Sequence, residues 1–157
     1  MRFLSDFWNL NRQLKRKPYP MPKIREMLLN LEGFKYATSL DLNTRYYNIR
    51  LINQASNLWT IIPPWGKYKY KRMSIGICNS PEIFQEKMNN CFCGFEFIRS
   101  YIDKLLIITK GDWSNHLNKL ELLLKKLKYN GLKCNTEKSF FGKTQMYCIY
   151  IPFSLNK

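Results

Sequence analysis

Acidic side chains are scarce in this chain of 157 residues, where 11 Asp and Glu face 26 Lys and Arg and leave a formal net charge of +15. Such an excess points to a polyanionic partner, with nucleic acid the first candidate and an anionic membrane the second. Long apolar runs are also missing. None approaches the roughly 18 to 20 residues that a membrane-spanning helix needs, which weakens the membrane reading. The start, Met1-Arg2-Phe3-Leu4-Ser5-Asp6, lacks a sustained apolar core, so no secretory leader is expected. There is one histidine, His116. The five cysteines (Cys78, Cys91, Cys93, Cys134, Cys148) are odd in number and scattered, so reduced thiols without disulfides are expected, and with them an intracellular place in cytoplasm or nucleus. Cys91 and Cys93 could be half of a metal site, but with His116 far off in a helical pattern, small apolar fillers are the commoner outcome. Internal repeats and low-complexity blocks are absent. What is present, 45% apolar and 15% aromatic residues, is enough for a real core in one domain.

Along the chain, the basic residues Arg12, Lys15, Arg16, Lys17, Lys23 and Arg25 are interrupted by Pro18, Pro20 and Pro22, which predicts an extended, basic connector. Ile24, Met27, Leu28 and Leu31 recur at helical spacing, so a short helix fits residues 23–31, with Gly33 as its stop. Tyr36 to Leu42 reads as a strand containing Asp41. Tyr46 to Ile52 reads as a second and Leu58 to Ile62 as a third, closed by Pro63-Pro64. Lys67 to Arg72 alternates cation and ring with period two, giving either a phosphate-facing surface or a solvated lysine face on an edge strand. Asn79-Ser80-Pro81-Glu82 has the cap, proline and early acid of a helix start. Phe95 to Thr109 predicts a hairpin with Asp103-Lys104 at its turn. Leu117, Leu120, Leu123, Leu124 and Leu127 form an amphipathic stripe that stops at Asn130-Gly131. Short strand pairs mixed with helices predict an α+β fold, a sheet with helices packed on one face.

The chain has four aspartates, and two of them, Asp41 and Asp103, interrupt apolar strand runs. Burying a lone carboxylate costs several kcal/mol, so each needs compensation. On neighbouring strands the pair could share a divalent cation, as two-metal phosphoryl transfer requires; a satisfied aspartate at a strand end or turn is the other reading.

Taken in order, the motifs resemble the reverse transcriptase of gypsy-type long-terminal-repeat retrotransposons, a class of transposable element. They are Arg2-Phe3-Leu4-Ser5-Asp6-Phe7, Pro18-Tyr19-Pro20, Ser39-Leu40-Asp41-Leu42 with Tyr46, Tyr68 through Arg72-Met73 with Gly76, Asn79-Ser80-Pro81 with Phe84-Gln85, Tyr101-Ile102-Asp103, and Lys138-Ser139-Phe140-Phe141. The resemblance implies a polymerase palm, an antiparallel sheet backed by helices. Residues 1–33 would be partial fingers and connector, and residues 34–157 a palm-like region. It implies an RNA-directed DNA polymerase, a nucleotidyltransferase that binds an RNA or DNA primer-template and dNTPs with Mg2+ or Mn2+. Asp41 and Asp103 would hold metal, while Arg2, Tyr46 and Gln85 would contact the nucleotide. Lys67, Lys69, Lys71, Arg72, Gly76, Pro81 and Tyr101 would line the nucleic-acid track.

Several positions depart from the family pattern. Lys104 stands where a second hairpin aspartate is usual, a local change of two charge units, and at about 4 Å its repulsion of a bound metal amounts to several kcal/mol. Arg45 replaces a glycine, Trp8 an arginine and Ser74 a proline, and Met146-Tyr147-Cys148-Ile149 replaces a leucine-glycine pair. The upstream finger strand, thumb and ribonuclease H domain of the family are not expected within these residues. Impaired catalysis is therefore expected, the alternative being a non-catalytic relic or co-opted nucleic-acid-binding module.

Overall fold

Residues 5–23, 27, 33–148 and 151–154 are described by the computed structural model. Arg2 and most of the helix expected over 23–31 lie outside them. The described elements run α1 (Trp8–Gln13), β1 (Tyr36–Leu42), a 3-10 turn (Arg45–Asn48), α2 (Asn53–Leu58), β2 (Thr60–Ile61), β3 (Tyr68–Lys69), α3 (Ser80–Cys91), β4 (Ile98–Tyr101), β5 (Lys104–Thr109), α4 (Trp113–Tyr129), β6 (Cys134–Lys143), β7 (Gln145–Cys148) and β8 (Ile151–Ser154).

The main sheet has the order β4-β5-β1-β6, antiparallel throughout, so that β1 is central although it comes first in sequence. β1 can occupy that place because Ala37, Leu40 and Leu42 are buried and short polar residues fill the positions between them. Thr38 is one such filler: its hydroxyl meets His116 Nε2 at 2.8 Å and accepts from the Gly142 N–H at 3.0 Å. α4 lies against β5 and β1, and α3 against β4. Leu40, Phe84, Met88, Leu105, Ile107, Leu123 and Leu127 meet in one core between sheet and helices. The α+β reading of the sequence describes this palm-like arrangement.

Three local expectations fail. Residues 46–52 are not a strand: Thr44 adopts a left-handed conformation (φ 59°), the chain coils into the 3-10 turn, and extended backbone returns at Ile49. There Leu51 N–H donates to Lys71 O at 3.0 Å and Met73 N–H to Ile49 O at 2.9 Å, which fastens the segment to the basic stretch. The strand expected at 58–62 shrinks to β2 because Asn53–Leu58 coils into α2 first. In α4 the buried face is His116, Leu123 and Leu127, whereas Leu117 and Leu124 are exposed. The leucine stripe is thus narrower than its spacing suggests.

Two other elements follow their sequence signals closely. α4 starts at Asp112, whose carboxylate accepts from the Asn115 N–H at 2.9 Å, and stops at Asn130-Gly131, where Gly131 takes φ +66°. α3 starts at Ser80 with Pro81 in its first turn, but the expected cap is not made: the Asn79 side chain makes no capping hydrogen bond, and its amide donates to Lys15 O instead.

Candidate active site and basic groove

Asp41 occupies the penultimate position of β1 and is flanked on both sides of the sheet. Its antiparallel partner on β5 is Lys104, and on β6 it is Asn135. Residues paired this way point to the same face of a sheet with Cβ atoms about 5 Å apart. The Asp41 N–H donates to Ser139 Oγ at 3.1 Å. Cys134 borders the same corner, and burial first, then the Asp41 carboxylate, push its thiol above the ordinary cysteine range.

Asp103 lies in the two-residue turn between β4 and β5, where Tyr101 and Lys104 are paired. It is 6% exposed, and its backbone carbonyl accepts from the Leu42 N–H at 2.7 Å. That bond ties the turn to the end of β1, and so brings Asp103 beside the strand that carries Asp41. Ile102, the other turn residue, takes φ +49°. β-branched residues rarely adopt that conformation, and it costs of order 1 to 3 kcal/mol.

Gln85, expected at the nucleotide, points into the protein. It is fully buried on α3, and its amide is engaged with the β4–β5 hairpin and with Asn89. Tyr46 is 8% exposed and sets its ring edge-on to Phe84 at 5.7 Å. Gly76 takes φ +101° and passes close to the N-terminal segment: a Cβ there would meet Ser5 O at 3.4 Å, and Asn11 Nδ2 donates to Gly76 O at 2.7 Å. Pro81 is half-buried in the first turn of α3, and Tyr101 is half-buried at the end of β4.

Lys67, Lys69, Lys71 and Arg72 are all exposed. Only Tyr68–Lys69 is regular strand, yet the expected alternation survives in part. Tyr68 faces outward, while Tyr70 turns in to place its hydroxyl 2.7 Å from Ser5 Oγ and its ring edge-on to Phe7 at 5.6 Å. Arg72 Nη1 donates to Tyr47 O at 3.2 Å and Asn48 O at 3.4 Å, which moors the basic segment to the turn carrying Tyr46. Trp65, Tyr68, Lys69, Lys71 and Arg72 help line an open groove of about 480 Å³. Exposed rings among cations can stack bases and hold phosphates together.

Sequence reasoning missed Asn135, Ser100, Asn89 and Cys134 as neighbours of the site. Only the Gln85–Asn89 pair carried a signal, a four-residue step on one helix face. Cys78, Cys91, Cys93 and Cys134 are free thiols. No group of three or more His, Cys, Asp or Glu side chains converges on a metal-sized point among the described residues. The donor set at the hairpin is two carboxylates with an ammonium on the strand between them, and it does not fit a pair of divalent ions.

The family described as "Reverse transcriptase (RNA-dependent DNA polymerase)" matches residues 1–150. The Retrovirus-related Pol polyprotein from transposon opus of Drosophila melanogaster is 30% identical over 152 residues, covering 92% of this chain and 15% of the relative. The corresponding polyprotein from transposon gypsy of the same species is 29% identical over 159 residues, with 99% and 15% coverage. The foamy viral protease-reverse transcriptase in complex with RNA/DNA hybrid superposes with a TM-score of 0.87 at 19% identity, over 96% of this chain and 20% of that one. The chain belongs to the reverse transcriptase family, and polyproteins of gypsy-type elements are among its relatives. Members of that family generally use a divalent metal. The chain spans about a fifth or less of these relatives.

Proposed function

We propose that this reverse transcriptase domain grips an RNA or DNA primer-template and a dNTP but that its nucleotidyl transfer is impaired. The observation that carries this is the pairing of Lys104 with Asp41 across β1 and β5, beside the turn that holds Asp103. In a working palm those carboxylates would hold Mg2+ or Mn2+ against the triphosphate, neutralising the attacking and leaving oxygens. An ammonium on the same face opposes the local negative charge and repels the ion, which weakens the recruitment of metal.

Grip is argued separately from chemistry. Lys67, Lys69, Lys71 and Arg72 face solvent on one segment, and the groove beside them offers ring faces and cations to a phosphate backbone. Tyr46 and Arg2 would bound the nucleotide, with Gly76, Pro81 and Tyr101 along the track. The free thiols support a reducing compartment, cytoplasm or nucleus. The second reading, a binding module without catalysis, is favoured by the absence of a third acidic donor among the described residues.

Primer extension with Mg2+ or Mn2+ on the purified chain separates the two. Weak incorporation that is lost in Asp103→Asn and rises in Lys104→Asp supports an impaired polymerase. Robust wild-type incorporation abolished by Asp103→Asn would refute the impairment, and none in either protein would leave the binding module.

A further inference from the structure

Four hydrogen bonds converge on the Gln85 amide, and all belong to the chain's own machinery. Oε1 accepts from the Ile102 N–H at 2.7 Å. Nε2 faces three acceptors: Asn89 Oδ1 at 2.8 Å, Ser100 O at 3.0 Å and Ser100 Oγ at 3.2 Å. Ser100 Oγ in turn donates to Asn89 Oδ1 at 3.0 Å, and Asn89 Nδ2 donates to Tyr19 Oη at 2.8 Å. Tyr19 sits between Pro18 and Pro20 in the extended connector, whose neighbouring residues are pinned to α3 as well. Asn79 Nδ2 donates to Lys15 O at 3.0 Å, and Lys17 Nζ lies 3.9 Å from Glu86 Oε1.

This chain of bonds ends on the most strained residue of the site. Ile102 is left-handed at φ +49°, a conformation suited to glycine or asparagine, and it precedes Asp103 directly. A turn held against its own preference needs an outside restraint, and the Gln85 carbonyl oxygen supplies one at the Ile102 N–H. With Gln85 fully buried, a nucleotide could reach its amide only by displacing those bonds.

We propose that Tyr19, Asn89 and Gln85 form a positioning relay that runs from the proline connector to the 101–104 turn and sets the direction of the Asp103 carboxylate. Gln85 acts through the turn, not on the nucleotide. This rests on reading Asp103 as the hairpin's functional carboxylate, and it gives the connector a mechanical hold on the hairpin.

Site-resolved amide hydrogen exchange on the full chain tests it. Gln85→Leu should speed exchange at Ile102 roughly tenfold, the effect of losing one buried hydrogen bond, while Ile107 in mid-strand changes little. Tyr19→Phe should give a smaller change of the same pattern, about two- to threefold. Adding Ile102→Gly, which removes the conformational strain, should restore slow exchange at Lys104 in the Gln85→Leu protein. Uniform acceleration along β5, or no rescue by Ile102→Gly, would overturn the relay and leave Gln85 an ordinary buried amide. A second arm titrates Mn2+ by electron paramagnetic resonance into Lys104→Asp with and without Gln85→Leu. About a tenfold weaker affinity in the double variant supports the relay, as for outer partners of metal ligands, and equal affinities overturn it. If Lys104→Asp binds no Mn2+ at all, the metal reading of the site falls, and the exchange arm alone decides the relay.

Discussion

Ser74 shows what the family pattern looks like when one residue drifts. By the resemblance it stands at a proline position; it is 1% exposed, and its Oγ has no hydrogen-bond partner. A buried hydroxyl left unsatisfied costs about 1 to 3 kcal/mol, so Ser74→Ala should raise stability by about 1 kcal/mol in denaturant titration despite the atom it removes. His116 shows the opposite case. Its two ring nitrogens lie 2.8 Å from Thr38 Oγ1 and from Thr109 Oγ1, and the residue is fully buried. Burial first, then the Lys119 ammonium, hold its pKa below the ordinary histidine value. The folded state therefore takes up a proton less readily than the unfolded one. Its stabilising contribution is complete above pH about 6.5 and is lost as the pH falls from there through the lower folded value. Chemical denaturation at pH 7.5 and pH 5 should show a larger drop for the wild type than for His116→Gln. Equal drops would remove His116 from the acid response.

At the level of elements, legibility followed local signals. α4 was readable because its cap, apolar spacing and Asn130-Gly131 stop all lie within the helix itself. The segment from Tyr46 to Ile62 was misread because its isoleucines and aromatics favour strand, while a left-handed Thr44 and the pull of Tyr46 toward Phe84 decide the backbone. The site divides the same way. Asp41 and Asp103 were visible as carboxylates in apolar runs, but the engagement of Gln85 depends on a hairpin fifteen and seventeen residues further on. Between elements, α4 docks on β6 through Trp113. That ring stacks on His116 at 5.6 Å, and a Cβ at Gly142 would lie 2.5 Å from it. Gly142 also has φ +57°, so Gly142→Ala meets both a clash and backbone strain. A loss of about 2 kcal/mol or more is expected in thermal or denaturant unfolding, and a loss near zero would mean that Trp113 can move aside.

For the molecule as a whole, the charge of +15 is the property most readily tested. If phosphates dominate binding, the logarithm of affinity for a primer-template should fall linearly with the logarithm of salt, and sequence should matter little. Replacing Lys67, Lys69 and Lys71 by alanine should reduce the slope by about one for each phosphate that is no longer neutralised. An unchanged slope would place the track elsewhere on the surface. Asp103→Asn removes no cation, so it should leave the slope nearly untouched.

The order of the main sheet has a consequence for how the protein is made. β1 leaves the ribosome long before either of its partners, and its Asp41 finds Ser139 only across 98 positions of chain. Until β5 and then β6 have been synthesised, β1 lacks both of its strand partners and both of its edges are open. Pairings of such long range are slow to form. The newborn chain thus carries β1 with its edges unpaired until both partner strands have emerged, so holding chaperones and the pace of synthesis bear on yield alongside the stability of the finished fold.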